Sequence, residues 1–287
     1  LLQSCRNIPA QVKQLKAEGK VAEAEALKQE RESAKLILNV LTGAMRSKFS
    51  TLYDPPRIQA LCITGQLITT CMCFKLHQLG AKIIQSNTDG IVFDGCEELK
   101  DLYKELLDRL VEVTGIPLKI EECKAIYQRD VNNYIQVGMD GHIKVKGRWV
   151  SAFDSDNPIK NLNAPIVQNA VVAYYVDKKP LNETIAAGEP LDYCITTIKG
   201  RGFEFVTYED PDLGEVMTNN VNRVYASLNT AAGKLFKNDE KRRNAIPDLP
   251  DHCALCNGTV PKQLPGLDYS WYLQKAYNQL LQSPIIL

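Results

Sequence analysis

The sequence has 287 residues, 45% of them hydrophobic, and its 34 Lys and Arg residues are balanced by 34 Asp and Glu residues, for a formal net charge of zero. This length suits about two globular domains, and the neutral balance excludes nucleic-acid binding through a strong overall positive field. No apolar run approaches the ~20 residues of a membrane span, and no signal peptide is evident. These features predict a cytoplasmic protein without a membrane partner.

The nine cysteines are scattered along the chain and odd in number, which favours reduced thiols. Only Cys253 and Cys256, in "CALC", have metal-ligand spacing. A structural zinc would need two further ligands, and His252 is poorly suited because it directly precedes Cys253, so zinc is not favoured. The chain begins with Leu rather than Met, and we expect it to be a piece of a longer protein.

Residues 1 to 45 are predicted to form two antiparallel helices. The first runs to about Ala17, where "EGK" interrupts it with Gly19 as the C-cap, and the second begins near Val21. The second helix is polar all round in its first half and apolar in its second half. We therefore expect its tip to project into solvent and its base to be buried.

Basic residues recur along both predicted helices. Lys35 and Asn39 are one turn apart on one face, where a cation and an amide can meet a phosphate and a neighbouring sugar. Arg6 and Lys13 share a face of the first helix, which an antiparallel partner could bring towards Lys35. The alternative is that all four residues belong to solvated helix surface.

The next stretch predicts a helix, a hairpin, a helix and a strand. "YDPPRIQALC" starts a long apolar helix that ends near Leu79 and Gly80 and is expected to be a core helix. A hairpin over 82–95 follows, then an amphipathic helix ending at Gly115, then a strand in "IPLKIEECKAIY". This order is typical of an α+β fold with helices on one face of a small antiparallel sheet and the hairpin tip at its rim.

The hairpin tip itself, "QSNTDGIVF", has two interpretations. Asp-Gly is a preferred pair in tight turns, and most such turns only reverse the chain. The other interpretation is that Asp89 holds a metal ion at the rim of the sheet.

Beyond a boundary near residue 124, the pattern predicts a second hairpin over 129–150 with "MDGH" at its turn. In "HIKVKGRWV", the basic residues His142, Lys144, Lys146 and Arg148 alternate with apolar ones and so share one strand face. That face could follow a phosphate backbone or simply be solvated. Residues 165–188 are predicted to be helical, "RGFEFVTYED" a strand, "RVYASL" either, and "LDYSWYLQKAYNQLL" a terminal helix.

The order of "LLQSCR", "KLILNVLTG", "SNTDGIVF", "RDVNNYI" and "KVKG" resembles the run from fingers through palm to thumb in family B (alpha-like) DNA polymerases, particularly the phage-encoded kind. The resemblance covers most of the chain. It implies a C-terminal fragment: a palm sheet with helical-hairpin fingers and a C-terminal thumb, without the N-terminal part. The implied domains are fingers at 1–45, the C-terminal part of the palm at 46–123, and thumb with C-terminal region at 124–287.

The fingers motif of that family is Lys-x-x-x-Asn-Ser-x-Tyr-Gly. Here Lys35, Asn39 and Gly43 match, whereas Val40 replaces Ser and Thr42 replaces Tyr. The resemblance implies that Lys35 contacts the triphosphate of the incoming nucleotide and that Asn39 helps to position it. Arg6 is implied as a second phosphate ligand and Lys13 as a weaker one.

The palm motif of the family, Asp-Thr-Asp-Ser at a hairpin tip, corresponds to Asn87, Thr88, Asp89 and Gly90. The resemblance implies that Asp89 ligates catalytic magnesium and that Asn87 replaces the first carboxylate. The thumb motif Lys-x-Tyr corresponds to Asn132, Asn133 and Tyr134, and "KVKG" to the nearby Lys-Gly element. Implied DNA contacts are therefore Asn133, Tyr134, Lys144, Lys146 and Gly147.

The implied activity is DNA-templated DNA synthesis from deoxynucleoside triphosphates on a primer-template by a two-magnesium mechanism, with replication proteins as further partners, in the host cytoplasm if the protein is phage-encoded. The family's first palm carboxylate and its exonuclease domain would lie upstream, so we expect the isolated chain to be inactive. One alternative is a non-catalytic module that binds primer-template or single-stranded DNA. Another is a palm-type nucleotidyltransferase that copies RNA.

Overall fold

The computed structural model describes residues 2–88, 90–151 and 163–281; the side chains of residues 2–7, 9, 10 and 38 are not described. Asp89 therefore lies outside the described residues. The chain divides into two compact units, Leu1–Ile116 and Pro117–Leu287.

The first unit consists of helices around one two-stranded hairpin. Its elements are α1 (Leu2–Ala17), α2 (Val21–Arg46), α3 (Pro55–Gln78), β1 (Lys82–Ser86), β2 (Ile91–Asp94) and α4 (Lys100–Thr114). The predicted helical pair is confirmed, and Gly19 has the left-handed φ of +75° that a helix C-cap requires. Asp54 caps α3 by accepting a hydrogen bond from the Arg57 amide at 3.1 Å.

The hairpin is fixed by a small core at its base. Leu76 at the end of α3, Ala81 and Tyr103 of α4 are buried, and side chains of both strands pack on them. The rings of Phe93 and Tyr103 meet edge to face with centroids 5.4 Å apart, and the Tyr103 hydroxyl donates to the Leu79 carbonyl. These contacts hold the strands of the hairpin against the end of α3 and against α4.

The prediction that α3 is a core helix is wrong, as is the prediction that the base of α2 is buried. Only Ile58 and Leu76 of α3 are buried, whereas Leu67 and Phe74 are 64% and 65% exposed and Val40 of α2 is 60% exposed. The reason is size. A helix of 24 residues spans about 36 Å, and strands of five and four residues span about 17 Å, so the hairpin covers only one end of α3.

The length and composition of α3 also revise the expectation about membranes. By length and composition α3 could cross a membrane, and little of it is buried. One such helix is weak evidence for a membrane span.

The second unit contains three antiparallel sheets and three helices in the part that the structure describes. The elements are β3 (Cys123–Asp130), β4 (Asn133–Gly138), β5 (Ile143–Lys146), α5 (Pro165–Val176), α6 (Leu181–Ala186), β6 (Ile195–Ile198), β7 (Phe205–Asp210), β8 (Gly214–Thr218), β9 (Val221–Ala226), β10 (Leu235–Asn238), β11 (Arg243–Ala245), β12 (Cys253–Leu255) and α7 (Tyr269–Leu281). The strand orders are β3-β4-β5, β12-β9-β6 and β11-β10-β7-β8.

Several predictions in this unit are confirmed and others are corrected. The hairpin with "MDGH" at its turn is β4–β5, "RGFEFVTYED" contains β7, and the terminal helix is α7. "RVYA" is strand, within β9. The strand predicted in "IPLKIEECKAIY" begins only at Cys123. The single helix predicted over 165–188 is two helices, because Lys178 has a φ of 57° and Pro180 lacks the amide that a continuous helix needs.

One large core holds the second unit together. Its largest fully buried side chains include Trp149, Tyr193 and Tyr272. Tyr272 of α7 accepts a hydrogen bond from the Ala226 amide at 2.9 Å and donates to the Tyr193 carbonyl at 2.7 Å, which ties α7 to β9. Cys253 and Cys256 are free and buried in this core.

Candidate functional site

Asn87 and Gly90 close the β1–β2 hairpin at its tip. Lys82 pairs with Asp94, Ile83 with Phe93 and Ser86 with Ile91, with a register shift between Ile83 and Gln85. Beyond the strands, the Asn87 amide donates to the Gly90 carbonyl at 2.9 Å and closes the loop. The chain therefore reverses between Asn87 and Gly90.

The Asn87 side chain stabilises the turn. Its Oδ1 accepts a hydrogen bond from the Gly90 amide at 2.9 Å, so the side chain replaces a backbone acceptor. The amide group supplies no negative charge to a cation, unlike the carboxylate it replaces. Among residues 2–88, 90–151 and 163–281, no three His, Cys, Asp or Glu side chains are grouped so that they could hold a metal ion. The described residues alone therefore do not complete a magnesium site.

Asp94 does not complete a magnesium site either, because it pairs with Lys82 at the opposite end of the hairpin. Glu121 belongs to the second unit, where Lys119 and Lys144 are its ion-pair partners. The Lys119 ammonium donates to it and holds the pKa of Glu121 below its usual range.

The predicted nucleotide ligands lie at different distances from the turn that joins α1 and α2. Lys35 and Asn39 are exposed and lie one turn apart on α2. Because α1 and α2 meet at residues 18–20, Lys13 lies opposite the start of α2, about 15 Å along the axis from Lys35 at 1.5 Å per residue. The backbone of Arg6 lies closer to the level of Lys35, about 5 Å along the axis by the same rise.

The three-stranded sheet of the second unit brings the predicted DNA-binding residues together. Tyr134 is directly opposite Lys146, and Gln136 is opposite Lys144, so these four side chains share one face. Ile135, fully buried, and its partner Val145 occupy the other face and join the core. Lys144 and Lys146 are exposed, which leaves a basic row beside an aromatic ring.

Gly147 lies in a tight junction beside this row. Its φ is +71°, and a Cβ there would lie 2.8 Å from Cγ of Asn133 and closer still to the carbonyl oxygen of Asn132. Asn133 forms the junction: its Nδ2 donates to Asp130 at 2.7 and 2.9 Å, and its Oδ1 accepts from the Arg148 amide at 2.8 Å. These bonds fix the chain just after Lys146. They also hold the pKa of the Asp130 carboxyl below its usual range, mainly through the Asn133 bond.

Sequence reasoning missed two features of this face. It did not single out Gln136, although its spacing of two residues from Tyr134 puts it on the same face of a strand. It also treated Asn133 as a contact to DNA, whereas the polar atoms of its side chain bond to Asp130 and Arg148. The "RDVNN" turn carried a signal for this role, because Asp and Asn side chains commonly bond to backbone groups near a turn.

The fold is a mixed arrangement of helices and sheets similar to that of family B DNA polymerases. The solved structure of the family B DNA polymerase from the hyperthermophilic archaeon Pyrobaculum calidifontis matches 98% of this chain with a TM-score of 0.50 and 12% sequence identity. A DNA polymerase of Archaeoglobus fulgidus is 22% identical over 169 residues, which is 58% of this chain. No family model matches the sequence.

Both relatives are much longer than this chain. The match covers 37% of the Pyrobaculum calidifontis polymerase and 21% of the Archaeoglobus fulgidus polymerase.

Proposed function

We propose that this chain comprises the fingers (1–45), the C-terminal part of the palm (46–123) and the thumb with C-terminal region (124–287) of a phage-type, DNA-templated DNA polymerase. The observation that carries the proposal is the fold similarity over 98% of the chain to a family B polymerase. The 22% identity to a second polymerase over 169 residues supports it. So does the presence of a helical pair, a hairpin and a basic sheet in the order that the sequence motifs imply.

The helical pair would bind the incoming deoxynucleoside triphosphate. Lys35 and Arg6 would meet the phosphates, because their positions along the two helices differ by only about 5 Å. Asn39 lies one turn beyond Lys35 and would orient the nucleotide through its amide. Lys13 lies nearer the turn between α1 and α2 and would act on the outer phosphate or attract the nucleotide over a longer range.

Tyr134, Lys144 and Lys146 would hold the primer-template duplex from one sheet face. Two exposed ammonium groups suit contacts with phosphates that carry no sequence information. Gly147 and Asn133 would position this row rather than bind DNA through their side chains, since Asn133 bonds to Asp130 and to the Arg148 amide.

At the hairpin tip, Asp89 would hold catalytic magnesium. Two-ion chemistry needs more than one carboxylate. The proposal therefore requires a further carboxylate besides Asp89. Asn87 would keep the tip in its turn geometry through its bond to the Gly90 amide.

A second candidate function is a non-catalytic module that binds primer-template or single-stranded DNA. Asn87 at the position of the family's first carboxylate favours it. This module would keep the basic sheet face and the helical pair but would not transfer nucleotides.

Primer extension distinguishes the polymerase from the binding module. It is measured with magnesium on the native polypeptide that contains this chain. Asp89→Ala is expected to lower extension on the order of 10²–10³-fold, as loss of one group that stabilises a transition state does. Asp140→Ala is the matched control, because Asp140 also precedes a Gly in the sequence. Asp140 lies in the β4–β5 turn, where its carboxylate accepts a hydrogen bond from the His142 amide. This variant should retain full extension.

The two functions give different results. If wild type extends the primer and only Asp89→Ala loses activity, the polymerase proposal holds. If wild type binds primer-template in an anisotropy titration but incorporates no nucleotide with magnesium, the binding module replaces it. Equal losses in Asp89→Ala and Asp140→Ala would mean that the turn is structural and not a metal site.

A further inference from the structure

The second unit contains a cavity of about 610 Å³ that the proposed polymerase function does not use. Its size is within the ~300–1,000 Å³ typical of small-molecule sites. Strand β6, helix α7 and the loop after β11 form its walls. The lining residues that bear on its chemistry are Arg148, Lys199, Lys237, Trp271 and Lys275.

The cavity is strongly cationic. Four Lys or Arg side chains line it, whereas Asp248 is the acidic residue among its lining residues. In the part of the chain that the structure describes, no carboxylate lies within 4.0 Å of the Lys199, Lys237 or Lys275 ammonium groups. Lys199 donates to the Glu204 carbonyl at 3.0 Å, and Lys237 lies 4.8 Å from the centre of the Phe203 ring. Their charges are therefore held in place without being neutralised, which favours an anionic ligand.

One wall of the cavity is the open edge of a sheet. Within the described residues β6 pairs only with β9, and the Lys199 amide donates to the Asn220 carbonyl at 2.8 Å. Every second residue along β6, counting back from Lys199, bonds to β9. The backbone groups of Thr196 and Ile198, which lie between them, therefore point to the other edge. Both residues line the cavity, which gives a ligand backbone donors and acceptors.

The cavity also has a planar aromatic surface. Trp271 is partly exposed on its wall, with the Lys275 ammonium 5.0 Å from the ring centre. The ring of a nucleotide base can stack on such a surface.

We propose that this cavity binds a nucleotide, with its phosphate among Lys199, Lys237 and Lys275 and its base beside Trp271. A nucleotide combines an anion with a flat ring whose edge carries donors and acceptors, and the cavity offers a partner for each part. The ligand is either a free nucleotide or one nucleotide of a single strand. The site shares no residue with the proposed triphosphate site on α1 and α2, so it is additional to the proposed function.

Tryptophan fluorescence provides a direct test on the 287-residue chain. The sequence has two Trp residues, and Trp149→Phe leaves Trp271 as the single reporter while keeping an aromatic side chain in the core. We expect saturable quenching by deoxyadenosine monophosphate or by a six-residue oligodeoxyadenylate, without magnesium. Lys199→Gln and Lys237→Gln in this background should each weaken binding about tenfold, the loss of one charge-assisted hydrogen bond.

One variant serves as the control for charge. Lys241→Gln removes an exposed cation of the same unit that does not line the cavity. It should bind as the parent does. Circular dichroism of each variant checks that the fold is retained.

The outcomes separate the sources and can overturn the proposal. Quenching by the monophosphate identifies a free nucleotide as a sufficient ligand, and quenching by the oligonucleotide alone identifies a single strand. If neither probe gives saturable quenching, the proposal is overturned. It is also overturned if deoxyadenosine or inorganic triphosphate binds with the same affinity as the nucleotide. Because this is equilibrium binding without primer or metal, failure of polymerase activity would not affect the result.

Discussion

At the scale of single residues, Gly147 is the position where backbone geometry most tightly limits the side chain. It combines a φ of +71° with an approach to Asn132 and Asn133 that leaves no room for a Cβ. Gly147→Ala should destabilise the second unit by about 3 kcal/mol through strain and overlap. Urea unfolding followed by Trp fluorescence measures this, because Trp149 and Trp271 both lie in the second unit.

Gly141 provides the matched control for that prediction. It has a similar φ of +82°, but nothing lies within 4 Å of an added Cβ. Gly141→Ala should therefore cost about 1 kcal/mol from the backbone conformation alone. Equal losses at both glycines would contradict the packed junction around Gly147.

The Asp130 carboxyl provides a residue-scale prediction about pH. The Asn133 side chain donates to it and lowers its pKa in the folded protein. A lowered folded pKa contributes stability above the unfolded pKa, and this contribution is lost as pH falls through the folded value. Asn133→Ala should therefore raise the pKa of Asp130 towards its usual value and flatten the acid dependence of stability below it. Carbon-detected NMR titration of Asp130 measures the pKa directly; an unchanged value would contradict the bond.

At the scale of elements, the face of β4 and β5 that carries Tyr134, Lys144 and Lys146 gives a prediction about DNA binding. Lys146 is exposed beside Tyr134, and a phosphate contact there would release about one counterion. Lys146→Gln should weaken binding similarly for unrelated primer-template sequences and lower the salt slope by about 0.9. Anisotropy titrations at several salt concentrations measure both quantities.

Lys241→Gln is the control for that measurement, since it removes an exposed charge between β10 and β11 and not from the basic face. It should leave both affinity and slope unchanged. If Lys241→Gln and Lys146→Gln have the same effect, the binding arises from general charge and the β4–β5 face is not a defined DNA surface.

At the scale of the whole molecule, the first unit exposes an unusual amount of apolar surface. Leu67 and Phe74, seven residues apart on one side of α3, are 64% and 65% exposed, and Leu36 and Val40 of α2 are similarly exposed. Exposed apolar side chains on one side of a helix promote association in water. Sedimentation velocity at increasing protein concentration should therefore show self-association of the isolated chain.

A pair of charged substitutions tests the source of that association. Leu67→Lys combined with Phe74→Lys should keep the chain smaller at every concentration. Leu213→Lys combined with Leu228→Lys is the control, because these residues are 77% and 64% exposed but belong to the second unit and not to α3. If both pairs behave alike, the apolar side of α3 is not the associating surface.

The sequence by itself determined the local elements of this protein. Gly19 and Gly115 end helices because glycine adopts positive φ without strain, and alternation with short turns marked the two hairpins. It also placed Lys144 and Lys146 on one strand face, since the period of a strand is two residues. The helix predicted over 165–188 was wrong only at its interruption near Lys178, where local strain rather than periodicity decides.

Only the tertiary structure decided which apolar faces are covered and which polar groups are already bonded. Periodicity identified α3 as apolar but could not show that a two-stranded hairpin is too short to cover it. Asn133 resembled a DNA contact until its bonds to Asp130 and Arg148 were known. The cationic cavity joins β6, β10 and α7, which are distant in sequence. Burial and hydrogen bonding depend on such long-range neighbours, which a local pattern does not encode.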